Sequence, residues 1–266
     1  MRLHARNKNF TWVDAISPFE VISQTQADSY NESGGFVLEN AFSPEEVGEL
    51  TEVLDELESE SNNYLRSEQG GRSNISRADE IVFRPHVVNA HPTVKKFATH
   101  PTLVGLCHDL VGRTARLYWD QLVYKRAKTL TEFPWHQDNG YTFLEPQQYL
   151  TCWVALTDST KENGCPWIAP GVHRLGTLVH QWTDLGFQCF DSMPDEAAPM
   201  ELKAGSIAVF SSLAPHKTGP NVTEEIRKAY ILQYARDGAI AHPHCGHPFL
   251  ADDPERQFLI EGACSQ

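Results

Sequence analysis

The segment at residues 135–140, which reads WHQDNG, places a histidine and an aspartate two positions apart. Alternate residues of an extended strand point to the same face, so the side chains of His136 and Asp138 can reach one point in space. Pro134 and Gly140 bracket the pair, and this pattern predicts a strand that ends in a loop. One imidazole and one carboxylate provide two ligands of a facial iron site, which a second histidine would complete.

The sequence after residue 112 contains short runs of β-branched and aromatic residues separated by Pro, Gly and Asn, which is typical of strands. No alternation of strands with helices is visible, and no GxGxxG motif indicates a dinucleotide site. The pattern therefore favours antiparallel strands in a sandwich or barrel. The predicted strands are residues 115–127, 149–156, 165–169, 176–180, 200–202, 207–210 and 228–235.

Helical signals lie before residue 112. Ser43 and Glu46 match a capping box around Pro44, and an apolar stripe follows. Also predicted here are an irregular arm at 1–20, a helix at 25–33, a strand at 36–38 and a helical region at 92–111 divided at residue 101. Because helices precede strands, we expect a mainly β fold with helices packed on one face of a jelly roll.

The expected organisation is a single domain over residues 1–266. Its parts are a mainly helical part at 1–112, a jelly-roll core at 113–238 and a tail at 239–266. The polar segment 59–80 contains no signal for a packed element and is predicted to be a long mobile loop of the kind that covers sites. In the tail, HPHCGH at residues 242–247 fits either a metal cluster or a loop with surface histidines.

Composition limits the partners and the compartment. The net charge of −13 argues against nucleic acid and anionic membranes as partners. The six cysteines form no CxxC pair and are expected to be mostly reduced, buried and apolar in behaviour. No apolar run at the start resembles a signal peptide, and none approaches the ~18 residues of a membrane helix. The sequence therefore predicts a cytoplasmic protein.

A further group of candidate residues follows the predicted strand at 207–210. His216 lies in a turn marked by proline and glycine, where the third ligand of such a metal site is expected. Arg227 opens the next strand, and its permanently charged guanidinium suits the distal carboxylate of a 2-oxo diacid that chelates iron. The hydroxyl of Thr218 can donate to the same carboxylate. Singly these residues fit structural roles, but their ordered combination indicates a cosubstrate site.

These motifs resemble the phytanoyl-CoA dioxygenase family of iron(II)/2-oxoglutarate-dependent oxygenases. The similarity runs from about residue 36 to residue 236. It is specific for the family and not for a substrate. Its strongest segments are 135–138 (WHQD), 153–158 (WVALTD), 162–173 (ENGCPWIAPGVH) and 216–221 (HKTGPN), together with Arg227.

The resemblance implies a double-stranded β-helix, or cupin-like jelly roll, that uses iron(II), 2-oxoglutarate and O2. His136, Asp138 and His216 would bind the metal. Arg227 and Thr218 would hold the distal carboxylate of 2-oxoglutarate. Related halogenases lack the carboxylate ligand, so Asp138 favours hydroxylation of an unactivated C–H bond in a small metabolite, with release of succinate and CO2.

Other side chains are expected to line the same site. Positions that touch the cosubstrate or substrate in related enzymes are Trp153, Lys125 and Gln121. Candidates for the substrate wall are Tyr141, Phe143, Phe83, His86 and the segment 59–80.

Three alternatives remain open from the sequence. The same cofactor chemistry can lead to desaturation, cyclisation or epimerisation. A cupin-like protein can hold a metal without turnover. A zinc hydrolase can use two histidines and an aspartate, but it would not need Arg227.

Overall fold

Within residues 1–260, which this computed structural model describes, the α-helices all precede residue 111. They are α1 (Gln24–Ser33), α2 (Pro44–Ser67), α3 (Pro92–Phe97) and α4 (Pro101–Leu110). The Ser43 hydroxyl accepts from the backbone N–H of Glu46, whose carboxylate accepts from the backbone N–H of Ser43, so the predicted capping box begins α2. The expected division at Pro101 is confirmed, because this proline begins α4.

The rest of the described chain is mostly strands and connecting turns, and the mainly β class is confirmed. The first nine strands are β1 (Gly35–Leu38), β2 (Arg72–Ser73), β3 (Ser76–Arg77), β4 (Ile81–Pro85), β5 (Ala115–Lys125), β6 (Phe133–His136), β7 (Phe143–Glu145), β8 (Leu150–Ala155) and β9 (Pro166–Ile168). The others are β10 (Gln181–Thr183), β11 (Gly186–Gln188), β12 (Ala198–Pro199), β13 (Ile207–Ser211), β14 (His216–Thr218), β15 (Arg227–Arg236), β16 (Ile240–His242), β17 (Phe249–Leu250) and β18 (Leu259–Ile260).

Two antiparallel sheets form the jelly roll. The large sheet has the order β1-β13-β8-β15-β5-β4-β3-β2, and β18 also pairs with β5. The small sheet has the order β12-β9-β14-β6. One apolar cluster joins the two sheets, because it contains Trp153 and Phe210 of the large sheet and Ile168 of the small one. The site residues of β6 and β14 therefore lie across this interior from the large sheet.

Successive side chains of a strand point to opposite faces of the large sheet. On β8, Cys152 and Val154 belong to the core shared with the helices, whereas Trp153 belongs to the cluster between the sheets. Leu50 of α2 and Leu103 of α4 are buried in the helix-side core. The helices therefore cover one face of the jelly roll, as expected.

Two predicted strands do not form. Residues 176–180 and 200–202 are irregular and make only isolated bridges, from Leu178 to Leu3 and from Leu202 to Ser159. The backbone N–H of Leu178 donates to the side chain of Gln137, which takes the place of a strand partner.

The prediction of a long unstructured loop at 59–80 is wrong. Residues 59–67 continue α2, and β2 and β3 form a short hairpin beyond it. Asn62 and Arg66 of the last α2 turns both bond to Asp79, and these contacts across the segment supply the order that its polar sequence does not signal.

Within the described part of the tail, β16 pairs with β7 and with β17. The histidines at 242–247 form no metal-binding group within residues 1–260. Three cysteines are buried, but Cys245 is exposed, and Cys264 lies outside the described residues. None of the helices between residues 1 and 260 combines the length and apolar character needed to cross a membrane.

Candidate active site

The pairing of β14 with β6 brings the two candidate histidines together. His216 and His136 are direct partners in the antiparallel register. Asp138 follows β6 at the start of a short 3-10 turn. Its Oδ1 atom lies 3.8 Å from Nε2 of His136 and 3.7 Å from Nε2 of His216. One ligand atom from each residue fits within 4.8 Å of the others, so the three side chains can hold one metal ion.

Both imidazoles are oriented by backbone carbonyls. Nδ1 of His136 donates to the carbonyl of Pro134 at 2.8 Å, and Nδ1 of His216 donates to Ala214 at 3.0 Å. Burial lowers the pKa of His136 to about 3 and that of His216 to about 4. Both rings are therefore neutral near pH 7, with the Nε2 lone pairs facing Asp138, which is the state that binds a metal.

The carboxylate of Asp138 is held by a neighbouring strand. The hydroxyl of Thr151 on β8 donates to Oδ2 of Asp138 at 2.6 Å. Burial raises the pKa of Asp138. A metal cation bound to Asp138 would favour the ionised carboxylate and offset the free-energy cost of its burial.

The residue between the first two candidate ligands joins three chain segments. The side chain of Gln137 is fully buried. Its amide nitrogen donates to the carbonyls of Gly176 at 3.0 Å and Leu213 at 2.6 Å, and its oxygen accepts from the N–H of Leu178 at 2.7 Å. Because Leu213 begins the turn that leads to His216, Gln137 connects the two parts of the candidate metal centre directly.

Arg227 presents an unsatisfied buried cation to the barrel interior. It is fully buried, and all three guanidinium nitrogens lack a hydrogen-bond partner among residues 1–260. Its guanidinium lies 5.1 Å from the ring centroid of Trp153, and burial lowers its pKa to about 10. A buried charge without a partner is unfavourable. The site therefore fits a bound carboxylate, as 2-oxoglutarate would provide.

Lys125 is the direct strand partner of Arg227, and Thr218 lies beside Lys125. Nζ of Lys125 donates to the carbonyls of Thr131 and Gly219 and lies 3.5 Å from the Thr218 hydroxyl. Burial and the charge of Arg227 lower its pKa well below the ordinary value. The contacts of Lys125 therefore support the backbone that follows Thr218 at the end of β14.

A cavity of about 750 Å³ opens beside the candidate ligands. Of the predicted substrate residues, Tyr141 and Phe83 line it, and so do Gln121 and eight residues of the segment 59–80. Phe143 does not, because it is buried against the ring of His4 at 4.9 Å. His86 also lies outside the lining.

The imidazole of His86 packs against Trp119, a residue of the cavity lining. Its ring centroid is 4.4 Å from that of Trp119, and its Nε2 is 3.0 Å from Nη1 of Arg256. Trp119, which sequence reasoning missed, lines the cavity. It lies two positions before Gln121 on the same strand, so the alternation of β5 could have identified it.

The family comparison agrees with this geometry. Residues 30–229 match the model of a family described as phytanoyl-CoA dioxygenase (PhyH). The chain belongs to the phytanoyl-CoA dioxygenase family. Members are iron/2-oxoglutarate oxygenases, so this protein is a non-haem iron(II)- and 2-oxoglutarate-dependent oxygenase that uses O2. Membership decides against the zinc-hydrolase and non-catalytic alternatives.

Curated relatives of this family member include two enzymes that are named for small substrates. Methylphosphonate hydroxylase of Gimesia maris is 25% identical over 236 residues, which cover 87% of this chain and 86% of the relative. Ectoine dioxygenase of Bordetella parapertussis is 28% identical over 237 residues, covering 81% and 76%.

Solved structures show the same fold as this phytanoyl-CoA dioxygenase family member. The α-ketoglutarate-dependent carbocyclase SnoK from nogalamycin biosynthesis aligns with a TM-score of 0.70 at 22% identity, covering 85% of this chain and 90% of that one. EctD from S. alaskensis aligns with a TM-score of 0.61 at 22% identity, covering 87% and 83%.

Proposed function

We propose that this oxygenase hydroxylates an unactivated C–H bond of a small-molecule substrate at an iron centre formed by His136, Asp138 and His216. The observation that carries the proposal is the convergence of their ligand atoms within 4.8 Å. The same barrel interior holds the fully buried Arg227, whose guanidinium has no partner among the described residues. These features are the two halves of a site for iron and a 2-oxo diacid.

When bound, iron(II), 2-oxoglutarate and O2 supply the oxidising power: 2-oxoglutarate leaves as succinate and CO2, and one oxygen atom enters the substrate. The protein contributes binding and orientation. The neutral imidazoles of His136 and His216 offer Nε2 lone pairs, and Asp138 offers one carboxylate oxygen. Arg227 would bind the distal carboxylate of the cosubstrate, with Thr218 as a further donor.

The choice of hydroxylation rests on Asp138. A carboxylate at this position occupies the place that a halide takes in related halogenases, so oxygen transfer is favoured over halogen transfer. The names of two relatives, a methylphosphonate hydroxylase and an ectoine dioxygenase, support a small molecule as the substrate class.

The test is turnover by the iron-loaded enzyme with 2-oxoglutarate and a metabolite extract, followed by mass spectrometry of succinate and product. Hydroxylation predicts one added oxygen atom per succinate. Loss of a hydrogen pair would indicate desaturation or cyclisation, and an unchanged mass with inverted stereochemistry would indicate epimerisation. Either outcome contradicts hydroxylation.

A matched pair of variants tests the assignment of the metal ligand. Asp138→Ala is expected to remain folded, to bind Mn(II) far more weakly and to release no succinate with substrate. Asp195→Ala, which removes an exposed carboxylate outside the site, is expected to behave as wild type. Full activity in Asp138→Ala would overturn the proposed metal centre.

A further inference from the structure

The cavity beside the candidate metal centre has, among the described residues, one cationic side chain in its lining, and that cation is already in an ion pair. Among residues 1–260, the charged or metal-binding side chains in its lining are His136, Asp138, Glu60 and Arg84. The first two are assigned to the metal. Nη1 of Arg84 donates to Glu60 at 2.8 Å and to the carbonyl of Leu57 at 2.6 Å, so the one cation is already paired.

Aromatic rings form much of the wall. Phe83 and Phe133 lie with their ring centroids 5.2 Å apart, and Phe133 is 4.9 Å from the ring of His136. Tyr141 and Trp119 also line the cavity. Its volume of about 750 Å³ lies within the range of sites for drug-sized ligands, and it greatly exceeds the space that a one-carbon phosphonate would fill. Such walls favour ring-containing ligands, which stack on aromatic faces.

Three neutral amides line the cavity, and one of them, Gln233, is hydrogen-bonded to Asp138. Gln121 and Asn74 both line the cavity. Neither side chain has a hydrogen-bond partner in the part of the chain that the structure describes. Gln121 points inward from β5 beside Trp119, and Asn74 lies at the turn of the β2–β3 hairpin. Amides can both donate and accept, which suits hydroxyl, carbonyl and amide groups of a ligand.

We propose that the substrate is an uncharged, ring-containing molecule of drug-like size whose neutral polar groups bind Gln121 and Asn74. This inference rests on the function proposed above and specifies its substrate class. A phosphonate or acyl-CoA would bring negative charge into a cavity whose only arginine is paired, and burial of an unpaired anion is strongly unfavourable. The substrate therefore differs in charge from those in the names of methylphosphonate hydroxylase and phytanoyl-CoA dioxygenase.

The experiment compares two probes that share a ring system. Calorimetry measures the binding of 1-naphthamide, which is neutral, and of 1-naphthoate, its anionic counterpart, to enzyme loaded with Mn(II) and 2-oxoglutarate. We expect the neutral probe to bind with a dissociation constant below about 1 mM and at least about tenfold more tightly than the anion. Equal or tighter binding of 1-naphthoate or of methylphosphonate overturns the proposal. So does the absence of measurable 1-naphthamide binding.

A variant that adds a positive charge tests whether the preference for the neutral probe arises in the cavity. Gln121→Lys is expected to tighten 1-naphthoate binding about tenfold and to weaken 1-naphthamide binding, since it supplies the missing cation. Gln24→Lys, on the exposed surface of α1, is the control for overall charge. Ser73→Lys, at another lining position, replaces Gln121→Lys if that variant does not fold. An unchanged ratio of the two affinities in the folded lining variant overturns the proposal.

The failure of this proposal and the failure of the proposed function are separable. Probe binding is measured with Mn(II) and requires no turnover. Hydroxylation is measured with iron and succinate release, and an anionic substrate that is hydroxylated would contradict the substrate class alone.

Discussion

The hydroxyl of Thr151 donates to Oδ2 of Asp138 across 2.6 Å, and this contact determines which carboxylate oxygen faces the imidazoles. The other oxygen, Oδ1, lies within 3.8 Å of both Nε2 atoms. Thr151 is 1% exposed, so water does not compete for this hydrogen bond. The threonine therefore orients Asp138 for binding through a single oxygen.

Replacement of Thr151 is expected to weaken metal binding without unfolding the protein. Thr151→Val removes the hydroxyl and keeps the shape, and partners that orient metal ligands typically contribute about 10- to 100-fold to metal affinity. Calorimetry with Mn(II) measures the effect, and Thr151→Ser should restore most of the affinity. Thr129→Val, at a buried threonine bonded to the carbonyl of Glu80, is the control for general destabilisation. Equal metal affinities in Thr151→Val and wild type would contradict this role.

Removal of the buried guanidinium is expected to weaken the binding of 2-oxoglutarate and to stabilise the protein that has no cosubstrate bound. Arg227→Met should raise KM for 2-oxoglutarate by about 30-fold or more, since truncating one partner of a buried charge pair costs about 2 kcal/mol or more. Without cosubstrate the variant should melt at a higher temperature than wild type, because it removes a buried charge that has no partner within residues 1–260.

Steady-state kinetics and thermal unfolding check the two effects of Arg227→Met. Arg6→Met, at an exposed arginine, should change neither quantity. If Arg227→Met were saturated by 2-oxoglutarate at the same concentration as wild type, the proposed role of Arg227 in carboxylate binding would be contradicted.

Asp120 is expected to make the folded state less stable as pH rises. It is fully buried and accepts hydrogen bonds from the N–H of Val88 and the hydroxyl of Tyr230, and burial raises its pKa to about 6. Since the pKa in the unfolded chain is about 3.9, the folded state binds more protons between these values. The stability from the protonated carboxyl is present below about pH 4 and is lost as pH rises through about 6.

Asp120→Asn should abolish this pH dependence. Relative to the variant, the free energy of unfolding of wild type should fall by roughly 2 kcal/mol between pH 4 and pH 7. Urea unfolding across that range measures the difference, with Asp195→Asn as the exposed control. Parallel curves of unfolding free energy against pH for wild type and Asp120→Asn would show that the pKa of Asp120 is not raised in the folded state.

Asn62 is expected to keep the hairpin at the cavity mouth ordered. Its amide nitrogen donates to the Asp79 carboxylate at 3.0 Å, and its oxygen accepts from the Asp79 N–H at 2.9 Å. Asn62→Ala removes both bonds, at about 1 kcal/mol each, so amide exchange at residues 72–80 should accelerate about 30-fold. Glu52→Ala, at an exposed position earlier in the same helix, serves as the control. If amide exchange were unaltered in Asn62→Ala, contacts other than those of Asn62 would be responsible for the order of this segment.

Features that depend on a few adjacent residues were predictable from the sequence. The capping box at Ser43 and Glu46 and the new helix at Pro101 follow from local hydrogen bonding and proline geometry. The His136–Asp138 spacing also predicted a common direction for the two side chains, because it needs only the alternation of an extended strand.

Features that depend on distant partners were not predictable. The irregular backbone at Leu178 reflects a hydrogen bond from its N–H to Gln137, which is 41 positions earlier. The order of 59–80 reflects contacts of Asn62 with Asp79, 17 positions later. Thr151 looks like an ordinary strand residue in sequence, and its contact with Asp138 follows from the packing of β8 against the turn after β6.

The fully buried amide of Gln137 ties the segment that carries two candidate ligands to the turn before His216, so contacts within the protein itself help to hold the coordination cage together. A cage of this kind, with two nitrogen donors and one oxygen donor, cannot reject Co(II) or Ni(II) by shape, and both generally bind such donors more tightly than Fe(II). The identity of the metal that occupies the site is therefore expected to depend on metal supply in the cell as well as on affinity.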